Sequence, residues 1–229
     1  MATPHLARLA AKRGRRLPPW AVLAVTLMLG AAAIHALTYG FAAWTLDQRR
    51  EVRIDRHTLR LPAIDVQAQD GQRLRLFAGP AGADRDASVP AVYIVDFIYT
   101  RCLTVCRALG AEFVQLSRQM EADGVAGRIR LVSLSFDPRD TVDDLQGYAT
   151  TYHAHTPGWL VAAALSAADM DRLLRQADVI AIPDHLGGFE HNGGLHVVDA
   201  QGQVLAVYAL DDFRQAYAFA LAQARGRRP

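Results

Sequence analysis

The sequence predicts an α/β domain built on a mixed sheet, flanked by helices and preceded by one apolar helix. Two continuous β-branched and aromatic runs, at 91–100 and 128–136, are typical of strands buried on both faces. Stretches with helical periodicity follow them, as in βαβ units with parallel strands. The chain has 229 residues and is 51% hydrophobic, which suffices for one substantial domain and an additional segment.

The N-terminal segment predicts a single-pass membrane anchor. Residues 1–19 carry five basic side chains and no acidic one, and residues 20–46 contain no Asp, Glu, Lys or Arg. A membrane-spanning helix needs about 20 apolar residues, so the second segment is long enough. Because basic residues favour the cytoplasmic side, we expect a cytoplasmic tail at 1–19, an anchor at 20–46 and the rest of the chain across the membrane. A cleaved signal peptide is the alternative, but its apolar core is usually about 7–15 residues long.

The compartment of the main domain follows from this orientation. It would be the periplasm in a bacterium, or the intermembrane space in a mitochondrion. Without the five N-terminal basic residues, the remaining chain carries 20 basic and 23 acidic residues. Since no basic stripe with interleaved aromatic residues is visible there, we expect no nucleic-acid partner.

The elements after the anchor are predicted from turn residues and periodicity. Residues 47–65 are charged and mixed, which indicates a stalk, and the domain is expected to span 66–229. Asp70-Gly71 separates two short alternating runs, as in a hairpin, and the loop at 79–90 is rich in Gly, Ala and Asp. The strand at 91–100 then leads into a helix from Leu103 to about Ala122, where apolar residues recur at steps of three and four.

The second half of the domain continues this alternation. Ser166 and Asp169 fit the start of a helix, and Gln201-Gly202 separates two strand-like runs. The predicted elements, in chain order, are a strand at 128–136, a helix from about Val142, a strand at 158–165, a helix at 166–178, a hairpin at 194–210 and a terminal helix at 211–224.

The only two cysteines, Cys102 and Cys106, lie where the strand at 91–100 ends and the next helix begins. This strand–cysteine–helix order is a thioredoxin-like arrangement. The helix N-terminus favours negative charge, which would lower a thiol pKa, and thiolates both attack disulfides and bind metals. The spacing is C-x-x-x-C rather than the C-x-x-C of dithiol oxidoreductases. A redox pair, a metal site and two buried hydrophobic residues therefore all remain open.

A pair of soft thiolates with one imidazole suits copper, which directs attention to the histidines. His153 and His155 lie in a predicted exposed loop. Three others share the Gly-rich segment "IPDHLGGFEHNGGLHVVD", before a late strand near the predicted active edge of the sheet: His185, His191 and His196.

Three motifs together resemble the Sco/SenC family. They are "FIYTRCLTVCRALGAEF", "LVSLSFDPRDT" and "EHNGGLHVVDAQGQV", which occur in the family's order within about residues 66–222. Members of this family are membrane-anchored, thioredoxin-fold copper proteins that help to assemble the CuA centre of cytochrome c oxidase. The resemblance therefore implies copper as the bound metal and a thioredoxin-like fold.

The resemblance also implies a set of site residues. Cys102 and Cys106 match the two thiolate ligands, and His191 matches the ligand histidine because Asp199 lies eight positions after it. Asp137 matches an aspartate that lies near the metal in the family and can tune the site.

The chain departs from the family pattern at two places, the cysteine motif and the third motif, where Glu190-His191-Asn192 replaces the family's Asp-His-Ser/Thr. Both prolines of the cysteine motif are missing, since Leu103 and Arg107 follow the two cysteines. His185, preceded by Asp184, mimics the Asp-His dipeptide of the third motif and is a rival ligand to His191.

Two functions follow as hypotheses. The first is a metallochaperone, not itself an enzyme, that delivers copper to or prepares the CuA-carrying subunit of cytochrome c oxidase or another periplasmic copper protein. The alternative is a thiol-disulfide oxidoreductase with Cys102 and Cys106 as its catalytic pair. His191 distinguishes the two hypotheses, because a copper site of this kind needs an imidazole at that position and dithiol exchange does not. A peroxiredoxin-type peroxidase fits less well, since Thr100 is only two residues before Cys102.

Overall fold

The computed structural model describes residues 18–79, 90–102, 105–155 and 157–226. The chain forms two compact units, Met1–Arg49 and Arg50–Pro229. The first contains helix α1 (Pro19–Leu37), which, within the described ranges, is the one helix long and apolar enough to cross a membrane. Its 19 residues rise about 28 Å, close to the roughly 30 Å of a hydrocarbon core.

The uncharged run does not continue as one helix to residue 46. Helix α1 ends at Leu37, where the Thr38 hydroxyl donates to the Ile34 carbonyl at 2.7 Å. The three residues at 39–41 then take left-handed φ values, which end the helix. The helical part of the predicted anchor is therefore shorter than the uncharged segment.

The segment predicted as a stalk contains a helix. Helix α2 (Leu46–Asp55) is charged along most of its length, and its residues from Arg50 onward belong to the second unit. Ile54 packs against the hydrophobic core of that unit. Whether residues 47–65 act as a stalk stays a prediction.

The second unit is built on a mixed sheet, as the sequence predicts. Its strands are β1 (Ile64–Ala68), β2 (Arg73–Leu76), β3 (Val92–Ile98), β4 (Ile129–Ser135), β5 (Trp159–Ala164), β8 (Leu195–Asp199) and β9 (Val204–Tyr208). Their order in the sheet is β2-β1-β5-β4-β3-β8-β9, in which β3, β4 and β5 are parallel and the other neighbours antiparallel.

Four helices and a short 3₁₀ turn flank this sheet. They are α3 (Val105–Ala122), α4 (Val142–Tyr152), α5 (Ala167–Gln176), the 3₁₀ turn Leu210–Asp212 and α6 (Phe213–Ala224). Ser166 caps α5 by accepting from the Asp169 amide, as predicted. The predicted start of α3 at Leu103 and most of the loop at 79–90 lie outside the described residues.

The buried parallel core brings three loops to one edge of the sheet. All seven residues of β3 are buried, which fits a strand covered on both faces. Its ladder with β4 ends at the pair Ile98 and Ser135, so the loops that follow both strands begin side by side. A separate two-stranded sheet, β6 (Ala181–Pro183) with β7 (Phe189–His191), supplies the third loop and was not predicted from the sequence.

Candidate metal centre

An open cleft at this edge brings together a cysteine and a histidine that are distant in sequence. Cys102, from the loop after β3, and His191, at the end of β7, both line it. Tyr99, Phe189 and Leu210 complete most of its wall. The fold therefore brings Cys102 close to His191, through the β3–β4 ladder and the β6–β7 hairpin. No sequence pattern within one segment predicts this.

Cys102 lines this cleft, and both cysteines are buried thiols. Cys102 is 6% exposed and Cys106 is fully covered. The Cys106 backbone N–H donates to the Cys102 sulfur at 3.4 Å, so the two residues are directly joined. The Tyr99 hydroxyl interacts with the Cys102 thiol and with the Phe189 backbone. A partner approaching from solvent therefore meets Cys102 before Cys106.

Burial affects the pKa of the Cys106 thiol more than the helix N-terminus does. Desolvation raises the pKa of the Cys106 thiol strongly, and its hydrogen bond with Cys102 raises it further. The position of Cys106 at a helix N-terminus instead predicts a lowered thiol pKa, and this prediction is wrong for Cys106. Cys106 is therefore a protonated thiol at neutral pH, and it becomes a metal ligand only by releasing its proton.

The His191 imidazole is neutral and has an unpaired nitrogen. Burial lowers the pKa of His191, so the uncharged form is favoured at neutral pH. Its ring packs against Phe136 with centroids 5.2 Å apart, and a Cβ on Gly193 would lie 2.8 Å from its Cε1. Its buried Nδ1 has no hydrogen-bond partner among the described residues. A buried polar atom without a partner is costly, and a metal ion is one way of satisfying the histidine.

The three predicted ligands do not form a closed metal site as they stand. Within the described ranges, no three His, Cys, Asp or Glu side chains are grouped closely enough to hold a metal ion. Cys102 and His191 share the cleft, and Cys106 adjoins Cys102. These donors are of the types that copper prefers, so the residues fit copper in chemistry. The ligand set of Cys102, Cys106 and His191 stays a prediction.

The rival His185 lies at the tip of the β6–β7 hairpin. It is exposed, has a φ of 60°, and is not among the described residues that line the cleft. The Asp184 carboxylate accepts from the backbone amides of Leu186 and Gly188 at 2.7 and 2.8 Å. The dipeptide Asp184-His185 therefore forms a turn here, with the aspartate bonded to its own loop.

The other histidines are placed differently. His153 and His155 are exposed, as predicted, and His153 ends α4 in a left-handed conformation. His196 on β8 is fully buried, with its ring nitrogens 3.1 Å from the carbonyls of Gly194 and Ala177. Burial lowers the pKa of His196 to about 4. The neutral ring can donate to only one of these carbonyls. Both nitrogens face backbone carbonyls inside the core, so neither is accessible to a metal ion.

Asp137 is a buried carboxylate held by two arginines. Arg101 donates to it at 2.8 Å, and Arg139 donates to both of its oxygens at 2.8–3.2 Å. Burial opposes ionisation of Asp137, but the hydrogen bonds from Arg139 and Arg101 prevail and lower its pKa to about 2. Because Arg101 precedes Cys102, Asp137 joins the loop after β4 to the cysteine loop.

A second aspartate of the same motif was missed by sequence reasoning. Asp140 accepts from the Thr100 amide at 2.8 Å and from the Thr100 hydroxyl at 2.7 Å. Arg101 also lies 3.2 Å from it. Asp140 thus fixes the two residues before Cys102. Its place in "FDPRDT" was the available signal, but only the ladder of β3 with β4 reveals what it binds.

An aromatic cluster beneath the hairpin was also missed. Tyr99, Phe136 and Phe189 pack with ring centroids 5.2–5.7 Å apart. Phe189 belongs to β7, so the packing of this cluster fixes the strand that ends at His191. Its members come from three segments, which is why periodicity within any one segment gives no indication of it.

Comparison with known proteins identifies relatives of this chain. A family model described as SCO1/SenC matches residues 83–224. A SCO1 protein homolog of Bacillus subtilis (strain 168) is 23% identical over 145 residues, which cover 62% of this chain and 69% of that protein.

Solved structures share the fold. The structure of BsSco, described as a member of the Sco family of cytochrome c oxidase assembly proteins with a disulfide switch, matches with a TM-score of 0.59 and 20% identity, over 73% of this chain and 94% of that one. Arabidopsis thaliana ScoI, crystallised with copper bound, matches with a TM-score of 0.55 and 17% identity, over 71% and 98% of the two chains. The predicted thioredoxin-like fold is thereby confirmed.

Proposed function

The chain belongs to the SCO1/SenC family, and from this premise we propose that it binds copper and takes part in the assembly of cytochrome c oxidase. The observation that carries the proposal is the shared cleft of Cys102 and His191, in which the His191 Nδ1 has no partner among the described residues. Copper-bound structures of relatives with the same fold support it.

The proposed ligands are Cys102, Cys106 and His191, with Asp137 outside the ligand set as the residue that orders the cysteine loop. His191 needs no deprotonation at neutral pH, because burial already lowers its pKa. Cys106 must lose a proton, because burial raises its thiol pKa. Copper binding should therefore release protons from the thiols, and affinity should fall as the pH falls.

Copper loading of the full chain in detergent tests the ligand set. Cu(II) bound by thiolate should give a charge-transfer absorption, and His191→Ala should abolish or strongly alter it. His153→Ala and His155→Ala are matched controls, because both side chains are exposed and neither is among the described residues that line the cleft. They should leave the absorption unchanged.

His185→Ala distinguishes the two candidate imidazoles. If His185→Ala removes copper while His191→Ala does not, the ligand is His185 at the hairpin tip and the assignment of His191 is wrong. If neither substitution matters, copper binding through a cysteine–histidine set is refuted.

Thiol-disulfide exchange is the second candidate function, and the contact of the Cys106 amide with the Cys102 sulfur favours it. In this reaction the two thiols lose two electrons and two protons to a partner disulfide, which becomes a dithiol. An alkylation gel shift should reveal two reactive thiols after reduction and none after mild oxidation. Two alkylatable thiols under oxidant would exclude a Cys102–Cys106 disulfide.

The proposed setting is the membrane surface. Helix α1 would anchor the chain, with the basic tail in the cytoplasm and the copper domain in the periplasm, or in the intermembrane space if the protein is mitochondrial. The proposed recipient is the CuA-carrying subunit of cytochrome c oxidase or another copper protein of that compartment. Delivery of copper to this partner is part of the proposal.

A further inference from the structure

The hairpin that carries His191 is not held by the main sheet. In the described part of the chain, β6 and β7 pair with each other and with no strand of the seven-stranded sheet. A two-stranded ribbon of this size is unstable alone. The position of His191 therefore depends on the contacts made at the tip, the face and the base of this hairpin.

The tip is fixed by the arginine that binds Asp137. Arg139 donates to the Gly187 carbonyl at 2.9 Å. The face of the hairpin is fixed by Phe189, within the aromatic cluster under β7. These contacts come from the loops that surround the metal centre itself.

The base is fixed through Asn192, the neighbour of His191. The Asn192 side chain accepts from the Ile180 amide at 2.6 Å and donates to the Asp178 carbonyl at 3.1 Å. Its own amide donates to the Ile180 carbonyl at 3.2 Å. Asp178 has a left-handed φ of 55°, so the chain turns sharply where it enters the hairpin.

Helix α2 reaches this base with two arginines. The Arg53 guanidinium pairs with the Asp178 carboxylate, and Arg50 donates to the Asp178 carbonyl at 3.4 Å. The side chains of the Arg53–Asp178 pair are only 15% and 14% exposed. A pair so shielded from water interacts more strongly than an ion pair on the open surface.

We propose that Arg53 is a positioning residue for the metal centre. Arg53 forms an ion pair with Asp178, and the Asp178 carbonyl accepts a hydrogen bond from the Asn192 side chain. Asn192 in turn sets the backbone position of its neighbour His191. The inference rests on the proposed copper role of His191. It makes α2, in the segment that the sequence assigned to a stalk, part of the scaffold of the metal centre.

The test compares Arg53→Gln with Arg75→Gln in the full chain in detergent. Arg75 forms the same kind of pair with Asp65, but on β1 and β2, where the side chains are 58% and 51% exposed. In the metal-free protein, amides of the β6–β7 hairpin should exchange hydrogen about tenfold faster in Arg53→Gln than in Arg75→Gln or wild type. Arg53→Lys, which keeps the charge, should restore much of the protection.

The second readout is the copper site. Loss of a residue that orients a ligand typically weakens metal binding about 10–100-fold. Arg53→Gln should therefore lower copper affinity at least tenfold and reduce the nitrogen coupling in the Cu(II) electron paramagnetic resonance spectrum, while the thiolate absorption persists. Asp178→Asn should reproduce both effects, and it replaces Arg53→Gln if that variant does not fold.

Two results would overturn the inference. One is identical hydrogen exchange in Arg53→Gln and Arg75→Gln. The other is a loosened hairpin with an unchanged copper site, since that would make the pair structural only. Failure of wild type to bind copper through His191 would instead refute the proposed function, and the exchange comparison would still decide whether Arg53 holds the hairpin.

Discussion

Two buried carboxylates near the cysteines behave in opposite ways, and the difference is their partners. Asp96 on β3 is 1% exposed, and neither of its oxygens accepts a hydrogen bond of ordinary geometry from the described residues. Burial raises the pKa of Asp96 to about 7, although Ser133, opposite it in the ladder, offsets part of this effect. Asp137 is equally buried, yet its arginines lower its pKa to about 2. Burial alone therefore does not decide the charge of a carboxyl group.

The raised pKa of Asp96 predicts a pH-dependent cost to stability. Between pH 4 and 7 the unfolded chain loses the Asp96 proton while the folded chain keeps it, so the free energy of unfolding falls as the pH rises through this window. Asp96→Asn removes the effect. Relative to wild type, the variant should gain up to a few kcal/mol at pH 8 and much less at pH 4. Urea unfolding at both pH values measures the difference.

Asp65→Asn is the control for this experiment. Asp65 lies on β1 with its side chain 51% exposed, so its substitution should change stability little at either pH. A constant difference between Asp96→Asn and wild type from pH 4 to pH 8 would contradict the raised pKa.

The lowered pKa of Asp137 predicts the reverse dependence. Its contribution is fully present above pH 4 and is lost as the pH falls towards 2. Asp137→Asn should lower the free energy of unfolding by about 2 kcal/mol at pH 7 and by less at pH 3. Urea unfolding of the metal-free protein at the two pH values checks this sign. A loss that grows on acidification would show that the arginines do not stabilise the ionised form.

At the scale of elements, the sequence predicts the strands and helices whose burial is regular. The sequence pattern alone predicts β3, from its β-branched run, and α3, from its periodic apolar residues, because each element buries a long continuous face. The sequence does not predict helix α2, because most of its residues are charged and it has no apolar periodicity. The helix is held instead by the packing of Ile54 on the core and by the Arg53–Asp178 pair. The β6–β7 hairpin was missed because strands of three residues have no readable period.

The same limit applies to the candidate site. The chemical types of Cys102, Cys106 and His191 were recognisable because thiols and imidazoles are rare and suit copper. Their supports were not, because Arg139 reaches Gly187 and Asp140 reaches Thr100 across distances set by the sheet. Contacts between distant segments depend on strand order and register, which residue patterns within one segment do not encode.

Two helical glycines predict opposite effects of the same substitution. In α3, a Cβ on Gly110 would lie 2.6 Å from the ring of Tyr152, which packs with Tyr148 at 4.7 Å between centroids. In α4, a Cβ on Gly147 would meet nothing within 4 Å. Gly110→Ala should therefore destabilise the domain by about 1–3 kcal/mol through overpacking. Gly147→Ala should stabilise it by about 1 kcal/mol, since alanine has the higher helix propensity.

Thermal and urea unfolding of the two variants provide the measurement. The pair is matched in chemistry, and only the space around the new methyl group differs. Tyr148 donates to the Cys106 carbonyl at 3.2 Å, so displacement of the tyrosines by Gly110→Ala should also alter the reactivity of Cys106 towards alkylating reagents. Equal stability of the two variants would show that Tyr152 moves aside without loss.

At the scale of the whole molecule, charge and hydropathy are distributed in series along the chain. Basic residues come first, an apolar helix follows, and a domain with a small acidic excess comes last. In chain order, α2 comes between the apolar helix and the sheet, and its residues from Arg50 onward contact the base of the His191 hairpin. A chain that begins after Asp55 would therefore lack Arg53 as well as the apolar helix.

This order predicts a fixed orientation in the membrane. Basic residues are retained on the cytoplasmic side, so the domain should be exposed on the opposite face. Protease added to intact spheroplasts should digest residues after α1 and leave a small N-terminal fragment in the membrane. Replacing the five basic residues by glutamine should weaken the orientation and protect part of the domain population; these residues are Arg8, Lys12, Arg13, Arg15 and Arg16.

An apolar N-terminal helix of this length fits both an anchor and a signal sequence. Membrane fractionation distinguishes the two. An anchored chain should stay in the membrane fraction at high salt and leave it only with detergent, since about 20 buried apolar residues are not displaced by ions. Recovery of an intact domain in the soluble fraction, with a new N-terminus after residue 37, would mean that the helix is cleaved. The domain would then act in solution, and α2 would be its N-terminal element.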